Sequence, residues 1–196
     1  MSFMRKRDAP TLFPKLYAKM TIYFIRHTSV KVPAGTCYGQ SDVPLNDTFI
    51  EEATQVKRQI EGVHFDHVFT SPLTRCVELA RFCGYPDAER EDLVKEFSFG
   101  EWEMKNYNTL YHEDPRFACW CDDYLHQHAP GGESMSDIIE RTRLFIEKVK
   151  KQGHDCIAVF CHGGILASAR ILLGEVSAEK AMDSVPAYGS VMPVEV

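Results

Sequence analysis

The sequence lacks any apolar run near the roughly 18 to 20 residues of a membrane-spanning helix, and it lacks an excess of basic residues. Its 22 lysines and arginines stand against 28 acidic residues, which gives a formal net charge of −6. Proteins that bind nucleic acid or an anionic membrane are expected to present a basic face. We therefore expect neither nucleic acid nor a membrane among the partners. A small anionic substrate is compatible with this acidity, because a pocket can be locally positive.

The chain also lacks a signal-peptide pattern and a disulfide framework. Its first 19 residues are basic but carry prolines at positions 10 and 14 in place of a continuous apolar core. We interpret residues 1–19 as an N-terminal appendage and residues 20–196 as the folded domain. The seven cysteines are an odd number and are scattered, which is typical of reduced thiols and predicts a cytoplasmic protein.

What the sequence does contain is an alternation of short apolar strands and amphipathic helices. Strands are predicted at residues 21–25, 67–70, 156–161 and 190–196. Helices are predicted at residues 48–61, 72–83 with Ser71 as the cap, 134–152 and 165–173. This order predicts an α/β fold, a three-layer α/β/α sandwich around a mostly parallel sheet. Residues 96–132 are rich in aromatic side chains and are predicted to be irregular.

Three of the predicted strands end in side chains that suit a phosphate group. These side chains are Arg26 and His27 after the first strand, Arg75 shortly after the second, and His162 after the third. The carboxyl ends of parallel strands meet at one edge of the sheet, where ligands bind. Two arginines and two histidines at one edge would repel each other unless an anion lay between them, and guanidinium groups match phosphate oxygens. The sequence therefore predicts a phosphate site.

Catalysis at such a site requires a backbone that comes close to the phosphate, a nucleophile and an acid. Gly163 and Gly164 open a helix whose N-terminus favours an anion. Neutral histidine is a competent nucleophile, and a carboxyl beside a phosphate can hold a proton near neutrality. Three carboxylates are candidates for the acid, namely Glu96, Glu101 and Glu103. Since no acidic cluster at metal-ligand spacing accompanies the basic residues, we expect neither a metal nor a cofactor.

Four motifs occur in a fixed order along the chain: Ile25-Arg26-His27-Thr28, Ser71-Pro72-Leu73-Thr74-Arg75, Gly131-Gly132-Glu133-Ser134 and Cys161-His162-Gly163-Gly164. Together they resemble the histidine phosphatase superfamily, which includes the cofactor-dependent phosphoglycerate mutases. The resemblance spans residues 21–196 and implies a phosphoglycerate mutase-like fold. It also implies a metal-independent phosphomonoesterase that forms a phosphohistidine at His27. Thr28 stands where the family has glycine.

Residues 37–45 and 99–104 resemble one branch of that superfamily, the α-ribazole-5′-phosphate phosphatases of cobalamin biosynthesis. By position, this resemblance assigns the proton donor to Glu96. The residues that we expect around the substrate phosphate are Arg26, Arg75, His162, Gly163, Gln40 and Thr28. Gln40 lies with Tyr38 and Ser41 in the loop after the nucleophile, and a simple turn role is the alternative for these three residues. Glu133 is a candidate for holding an arginine or histidine of the site in place. Trp102 and Tyr107 are candidates for stacking on the dimethylbenzimidazole ring, with a core position as the alternative.

Other functions stay open at this point. The residues Cys119, Cys121, His126 and His128, with His112 nearby, are a candidate zinc site of a regulatory module, although the spacing is unlike known structural zinc sites. A phosphate-binding adaptor is disfavoured because all the catalytic residue types are present. A broad-specificity phosphatase or a mutase is the alternative within the enzyme class. Mutases of the family carry an extended C-terminal tail, and this chain ends near the last predicted strand. A homodimer is the candidate assembly.

Overall fold

The structure, a computed structural model, describes residues 19–196, so the predicted appendage lies outside the described residues except for Lys19. Its five strands are β1 (Thr21–Arg26), β2 (His67–Thr70), β3 (Glu89–Arg90), β4 (Cys156–Cys161) and β5 (Val191–Glu195). They form one sheet in the order β3-β2-β4-β1-β5. Only β5 is antiparallel to its neighbour, β1. The predicted mostly parallel sheet is therefore confirmed.

Helices cover both faces of this sheet. They are α1 (Phe49–Gln59), α2 (Thr74–Cys83), α3 (Tyr107–Glu113), α4 (Pro115–Asp122), α5 (Met135–Lys150) and α6 (Gly163–Leu172). Successive side chains of a strand point to opposite faces, and β4 shows this directly. Ala158 and Phe160 pack with α1 and α2, whereas Ile157 and Val159 pack with α5 and α6. The three-layer α/β/α sandwich is confirmed.

All four predicted helices are present, as α1, α2, α5 and α6. Ser134 caps α5 in a capping box with Asp137, and Gly84 ends α2 in the left-handed conformation. The prediction for the start of α2 was wrong. Leu73, not Ser71, is the N-cap, and no side chain caps that helix. The Ser71 hydroxyl is instead directed toward His162, at 2.7 Å from its Nε2.

The segment 96–132 was predicted to be irregular, and this was wrong as well, because it contains α3 and α4. These helices have only 7 and 8 residues, so neither shows a periodic pattern long enough to recognise. Asp114 ends the first and caps the second, and Pro115 occupies the first turn of α4. The remaining elements are short as well. The strand β3 has two exposed residues at the sheet edge, and 3₁₀ turns occur at Asp92–Val94, Gly100–Trp102, Ala178–Lys180 and Met182–Ser184.

Among residues 19–196, the search for a helix long and apolar enough to cross a membrane finds none.

Candidate active site

The carboxyl ends of β1 and β4 bring His27 and His162 into contact. The two strands are adjacent and parallel, with Arg26 opposite Cys161, and each histidine directly follows its strand. The ring centroids are 5.2 Å apart at an interplanar angle of 63°. Both side chains are buried, with 1% and 0% of their surface exposed. The structure thus places the two histidines at the predicted edge of the sheet.

The tautomer of His27 is set by the backbone carbonyl group of the next residue, Thr28. Nδ1 lies 2.7 Å from the carbonyl oxygen of Thr28, and because a carbonyl only accepts, Nδ1 carries the proton. Nε2 therefore keeps its lone pair. In His162 the corresponding Nε2 is occupied, since it lies 2.7 Å from Ser71 Oγ and 3.5 Å from Cys76 Sγ. Of the two rings, His27 is the one arranged to attack.

Arg26 and Arg75 both lie against carbonyl oxygens rather than carboxylates. Arg75 is fully buried in the first turn of α2, where it donates to Gly39 O at 2.5 Å and Ser41 O at 2.9 Å. Arg26 donates to Pro186 O. The Nε atoms of both arginines are buried without a hydrogen-bond partner. Buried donors are normally satisfied, so both guanidinium groups retain the capacity to bind an anion.

Burial and these two positive charges keep both imidazoles neutral. Burial is the main cause that lowers the pKa of His27 well below its usual 6.5, and the charges of Arg75 and Arg26 lower it further, against the bond to Thr28. Burial is likewise the main cause that lowers the pKa of His162 well below 6.5, and the charges of Arg75, His27 and Arg26 lower it further. A neutral imidazole holds the lone pair that a nucleophile needs.

We expect the neutral state of these histidines to make the protein less stable in mild acid. The native pKa values lie below the unfolded value of about 6.5, so below that pH the unfolded chain binds two protons that the native protein does not. The free energy of unfolding should therefore fall with falling pH, by about 1.4 kcal/mol for each histidine between pH 7.5 and pH 5.5. Urea unfolding at about pH 7.5 and pH 5.5, in phosphate-free buffer, measures this loss.

The variant His27→Gln/His162→Gln should lose less stability over that interval than the wild type. His112→Gln, at an exposed position on α3, is the matched control and should follow the wild type. An acid-induced loss in the double variant as large as that of the wild type would mean that the native histidines are not held neutral.

The N-terminus of α6 lies close to several residues of the site through His162, Gly163 and Gly164. The ring of His162 contacts that of His27. A Cβ atom at Gly163 would lie 2.5 Å from Val185 and 3.1 Å from the Arg26 guanidinium, and one at Gly164 would lie 2.4 Å from Glu96 Oε1. Only glycine lets this segment approach its neighbours so closely.

The structure separates the three candidate acids. Glu96 is half-buried, and its Oε1 accepts hydrogen bonds from Phe97 N at 2.9 Å and from Gly164 N at 3.1 Å. Oε2 is 3.4 Å from Gly164 N, so it is the oxygen available to carry a proton. Glu101 pairs with Arg116 at the surface. The Glu103 carboxylate is occupied by backbone N–H groups. Glu96 alone of the three adjoins the N-terminus of α6.

The remaining predicted residues lie around this centre in supporting positions. Gln40 donates from its side chain to the carbonyl oxygen of Glu96 at 3.0 Å. Thr28 is fully buried, and its hydroxyl has no hydrogen-bond partner. Glu133 does hold an arginine, but this is Arg141, at 2.6 Å, which in turn donates to the carbonyl oxygens of residues 93, 95 and 96. Glu133 and Arg141 therefore brace the segment that carries Glu96.

A cavity of about 420 Å³ adjoins Arg26, Glu96 and Gly164. Such a volume is ordinary for a small-molecule site. Its other walls are mostly apolar and aromatic, and include Val32, Phe97, Phe99, Tyr107, Met135 and Met182. Tyr107 is thus placed on the cavity wall. Trp102 is not, because it is fully buried and packs against Phe117 and Trp120. For Trp102 the alternative prediction, a core position, was the right one.

Two tyrosines lie where the cavity meets the histidines. The hydroxyl groups of Tyr38 and Tyr188 are 2.6 Å apart. The Tyr188 ring centroid is 4.0 Å from Arg26 Cζ and 5.5 Å from the His27 ring, and the Tyr38 ring is 5.6 Å from Arg75 Cζ. Both line the cavity. Each of the two arginines therefore has one of the tyrosines against it.

The candidate zinc residues are not assembled into a site. Cys119 and Cys121 are exposed, whereas His126 pairs with Asp123 and His128 pairs with Asp137. Within residues 19–196, no group of three or more His, Cys, Asp or Glu side chains could hold a metal ion.

Sequence reasoning missed Tyr188 and Arg141 as members of the site. It noted Ser71 at the end of β2 but assigned its side chain to capping α2 rather than to His162. Tyr188 lies in the connection to β5, and only the antiparallel pairing of β5 with β1 brings that connection to the strand ends. Arg141 carries no local signal beyond its place on the face of α5 that meets residues 93–96.

Comparisons with known proteins agree with this geometry. The model of the histidine phosphatase superfamily, branch 1, matches residues 22–196. The adenosylcobalamin/α-ribazole phosphatase of Escherichia coli is 29% identical over 154 residues, which are 76% of this chain and 76% of that protein. The crystal structure of the α-ribazole phosphatase from Shigella flexneri gives a TM-score of 0.80 at 26% identity over 89% of each chain. Phosphoglycerate mutase from Thermus thermophilus gives 0.72 at 27% identity, over 89% of this chain and 92% of that one. The predicted phosphoglycerate mutase-like fold is confirmed.

Proposed function

This chain belongs to the histidine phosphatase superfamily, branch 1, and is a phosphatase, and from that membership we propose that it hydrolyses α-ribazole 5′-phosphate in cobalamin biosynthesis through a phosphohistidine on His27. The relatives named as α-ribazole phosphatases support the substrate. The observation that carries the mechanism is the buried, neutral His27, whose proton is held on Nδ1. The positive charges of Arg75 and Arg26 both act on this ring.

In the first step, the lone pair of His27 Nε2 forms a bond to phosphorus while the bond from phosphorus to the ester oxygen breaks. Arg26 and Arg75 stabilise the charge on the other phosphate oxygens, as preorganised donors do in a water-poor site. His162 joins them when its Nε2 exchanges the Ser71 hydroxyl for a phosphate oxygen. Glu96 gives its proton to the departing oxygen, so the product leaves as a neutral alcohol. The enzyme is left with phosphohistidine and an ionised Glu96.

In the second step, water attacks the phosphorus of the phosphohistidine. Glu96, now a carboxylate, accepts a proton from this water. The bond between phosphorus and His27 Nε2 breaks, the lone pair returns to nitrogen, and inorganic phosphate leaves. Both groups are restored to their starting protonation states, so the cycle needs one water molecule and no other reactant.

The cavity beside Glu96 suits an aromatic leaving group. Phe97, Phe99 and Tyr107 line it together with methionines, which adapt their shape to a planar ring. A phosphate group that enters from this side reaches His27 past the hydrogen bond between Tyr38 and Tyr188. The dimethylbenzimidazole ring of the substrate would then remain in the cavity, with the ribose beside Glu96.

The substrate is tested by comparing α-ribazole 5′-phosphate with ribose 5-phosphate, which lacks only the aromatic base. We expect kcat/KM to be about 10- to 100-fold higher for α-ribazole 5′-phosphate, because the apolar walls remove the surface of its ring from water. Phosphate release measured at several substrate concentrations gives both constants. Equal kcat/KM values would contradict the proposed substrate and favour a broad-specificity phosphatase.

A mutase activity is distinguished from hydrolysis with 3-phosphoglycerate. Isomerisation to 2-phosphoglycerate is measured with and without the bisphosphate primer. We expect no isomerisation in either case, and isomerisation that depended on the primer would identify a mutase.

A further inference from the structure

Glu103 lies beneath a short loop and binds its backbone with both carboxylate oxygens. Oε2 accepts hydrogen bonds from Gly39 N at 3.0 Å and Ser41 N at 3.1 Å. Oε1 accepts from Gln40 N and Phe99 N, each at 3.0 Å. Burial raises the pKa of Glu103, but the hydrogen bonds outweigh it and lower the pKa below its usual 4.5. Glu103 is therefore an anion at neutral pH, and its lone pairs are used, so it is unsuited to donate a proton.

The opposite side of the same loop binds Arg75. Gly39 O accepts from Nη2 at 2.5 Å, and Ser41 O accepts from Nη1 at 2.9 Å. Asp42, at the end of the loop, is joined to α2 through the backbone N–H and hydroxyl of Thr74, at 3.0 and 2.5 Å. The carbonyl groups of Gly39 and Ser41 thus accept from the two Nη atoms of Arg75. The Nε atom of Arg75 has no hydrogen-bond partner.

One peptide group joins the two charges directly. The carbonyl oxygen of Gly39 and the N–H of Gln40 belong to the same peptide plane. The oxygen accepts from Arg75 while the N–H donates to Glu103. A peptide placed between a cation and an anion in this way is polarised by both, which strengthens both hydrogen bonds. The orientation of Arg75 is thus coupled to the charge of Glu103, although the two side chains bond to opposite sides of the loop.

We propose that Glu103 is a positioning residue for Arg75: it orders residues 39–41 so that their carbonyl groups hold the guanidinium toward the substrate phosphate. This inference rests on the phosphate-binding role proposed for Arg75, but it does not depend on which phosphate ester is the natural substrate. Arg75 is buried and carries a long flexible side chain, so without an ordered loop its two charge-assisted hydrogen bonds would lose their fixed direction. The sequence offered Glu103 as a candidate acid, and the structure gives it this different role.

The test is a double-mutant cycle with p-nitrophenyl phosphate as substrate. Glu103→Gln replaces one acceptor oxygen by an NH2 group that faces two N–H donors. We expect kcat/KM to fall by about tenfold or more, and the inhibition constant of inorganic phosphate to rise to a similar extent. In the Arg75→Ala background, the same change should cost less than about twofold, since there is no longer a guanidinium to position. Glu101→Gln, at a surface ion pair two residues away, is the matched control and should leave both quantities unchanged.

An equal fold-loss in the two backgrounds would overturn the inference, because it would show that Glu103 acts independently of Arg75. No loss in either background would overturn it as well. A failure of the proposed function is distinguishable, since Arg75→Ala alone would then leave kcat/KM and phosphate inhibition unchanged. If Glu103→Gln does not fold, the same cycle is run with Glu103→Asp, which keeps the charge but reaches fewer of the four N–H groups. Its loss should be smaller and should again vanish in the Arg75→Ala background.

Discussion

In the His27→Ala variant we expect no phosphoenzyme and a loss of p-nitrophenyl phosphate turnover of roughly 10⁴-fold or more. The variant lacks His27 Nε2, whose lone pair is left free because the proton lies on Nδ1, so the covalent route through His27 is closed. Rapid quenching with radiolabelled substrate measures the phosphoenzyme, whose bond to nitrogen is labile in acid and stable in base. Steady-state release of p-nitrophenol measures the turnover.

His112→Ala, at an exposed position, should trap as much phosphate as the wild type. His162→Ala should lose turnover but still trap phosphate on His27, since its ring binds the phosphate without attacking it. Covalent phosphate in His27→Ala would move the nucleophile elsewhere, and His162, with its ring centroid 5.2 Å away, would be the first position to examine by peptide mapping.

The sequence was most informative where a chemical group follows a buried strand. A short apolar run rich in β-branched and aromatic residues and bounded by turn residues is typical of a strand buried on both faces, and β1, β2 and β4 were predicted within one residue of their observed bounds. Parallel neighbours then place the residues after each strand side by side. For this reason the sequence predicts that His27 and His162 lie together at one edge of the sheet, with Arg75 close to them.

Other features depend on tertiary contacts that leave no local pattern. The helices α3 and α4 are too short for a periodic signal and are defined by an aromatic cluster that includes Phe117 and Trp120. Glu96, Glu101 and Glu103 lie within eight residues of one another and are chemically alike. Their roles differ because of the groups that meet each carboxylate, namely Gly164 from α6, Arg116 from α4 and the 39–41 loop. These contacts cannot be read from the sequence of residues 96–103 alone.

The Glu96→Gln variant should be slowed in proportion to how poor the leaving group is. For an alkyl phosphate such as ribose 5-phosphate, whose alkoxide needs a proton to depart, we expect kcat/KM to fall by roughly 10² to 10⁴-fold. For p-nitrophenyl phosphate, whose phenolate leaves without a proton, the first step should be nearly unaffected. The substitution is conservative, because the amide oxygen can still accept from Phe97 N and Gly164 N in the place of Oε1. Parallel kinetics on the two substrates measure the difference.

The second step gives the same variant a distinct signature. Since Glu96 also accepts the proton of the attacking water, Glu96→Gln should form the phosphohistidine from p-nitrophenyl phosphate quickly and hydrolyse it slowly. Stopped-flow mixing with p-nitrophenyl phosphate should therefore show a burst of p-nitrophenol close to one equivalent per enzyme. With the alkyl ester, rapid quenching should trap no comparable burst of phosphoenzyme, because the first step is itself slow. Glu101→Gln should behave as the wild type with both substrates. A group that protonates the leaving oxygen must distinguish oxygens that need a proton from those that do not. Equal losses of kcat/KM for the two substrates in Glu96→Gln would therefore contradict the acid role of Glu96. A leaving-group dependence of kcat/KM in Glu101→Gln would contradict it as well.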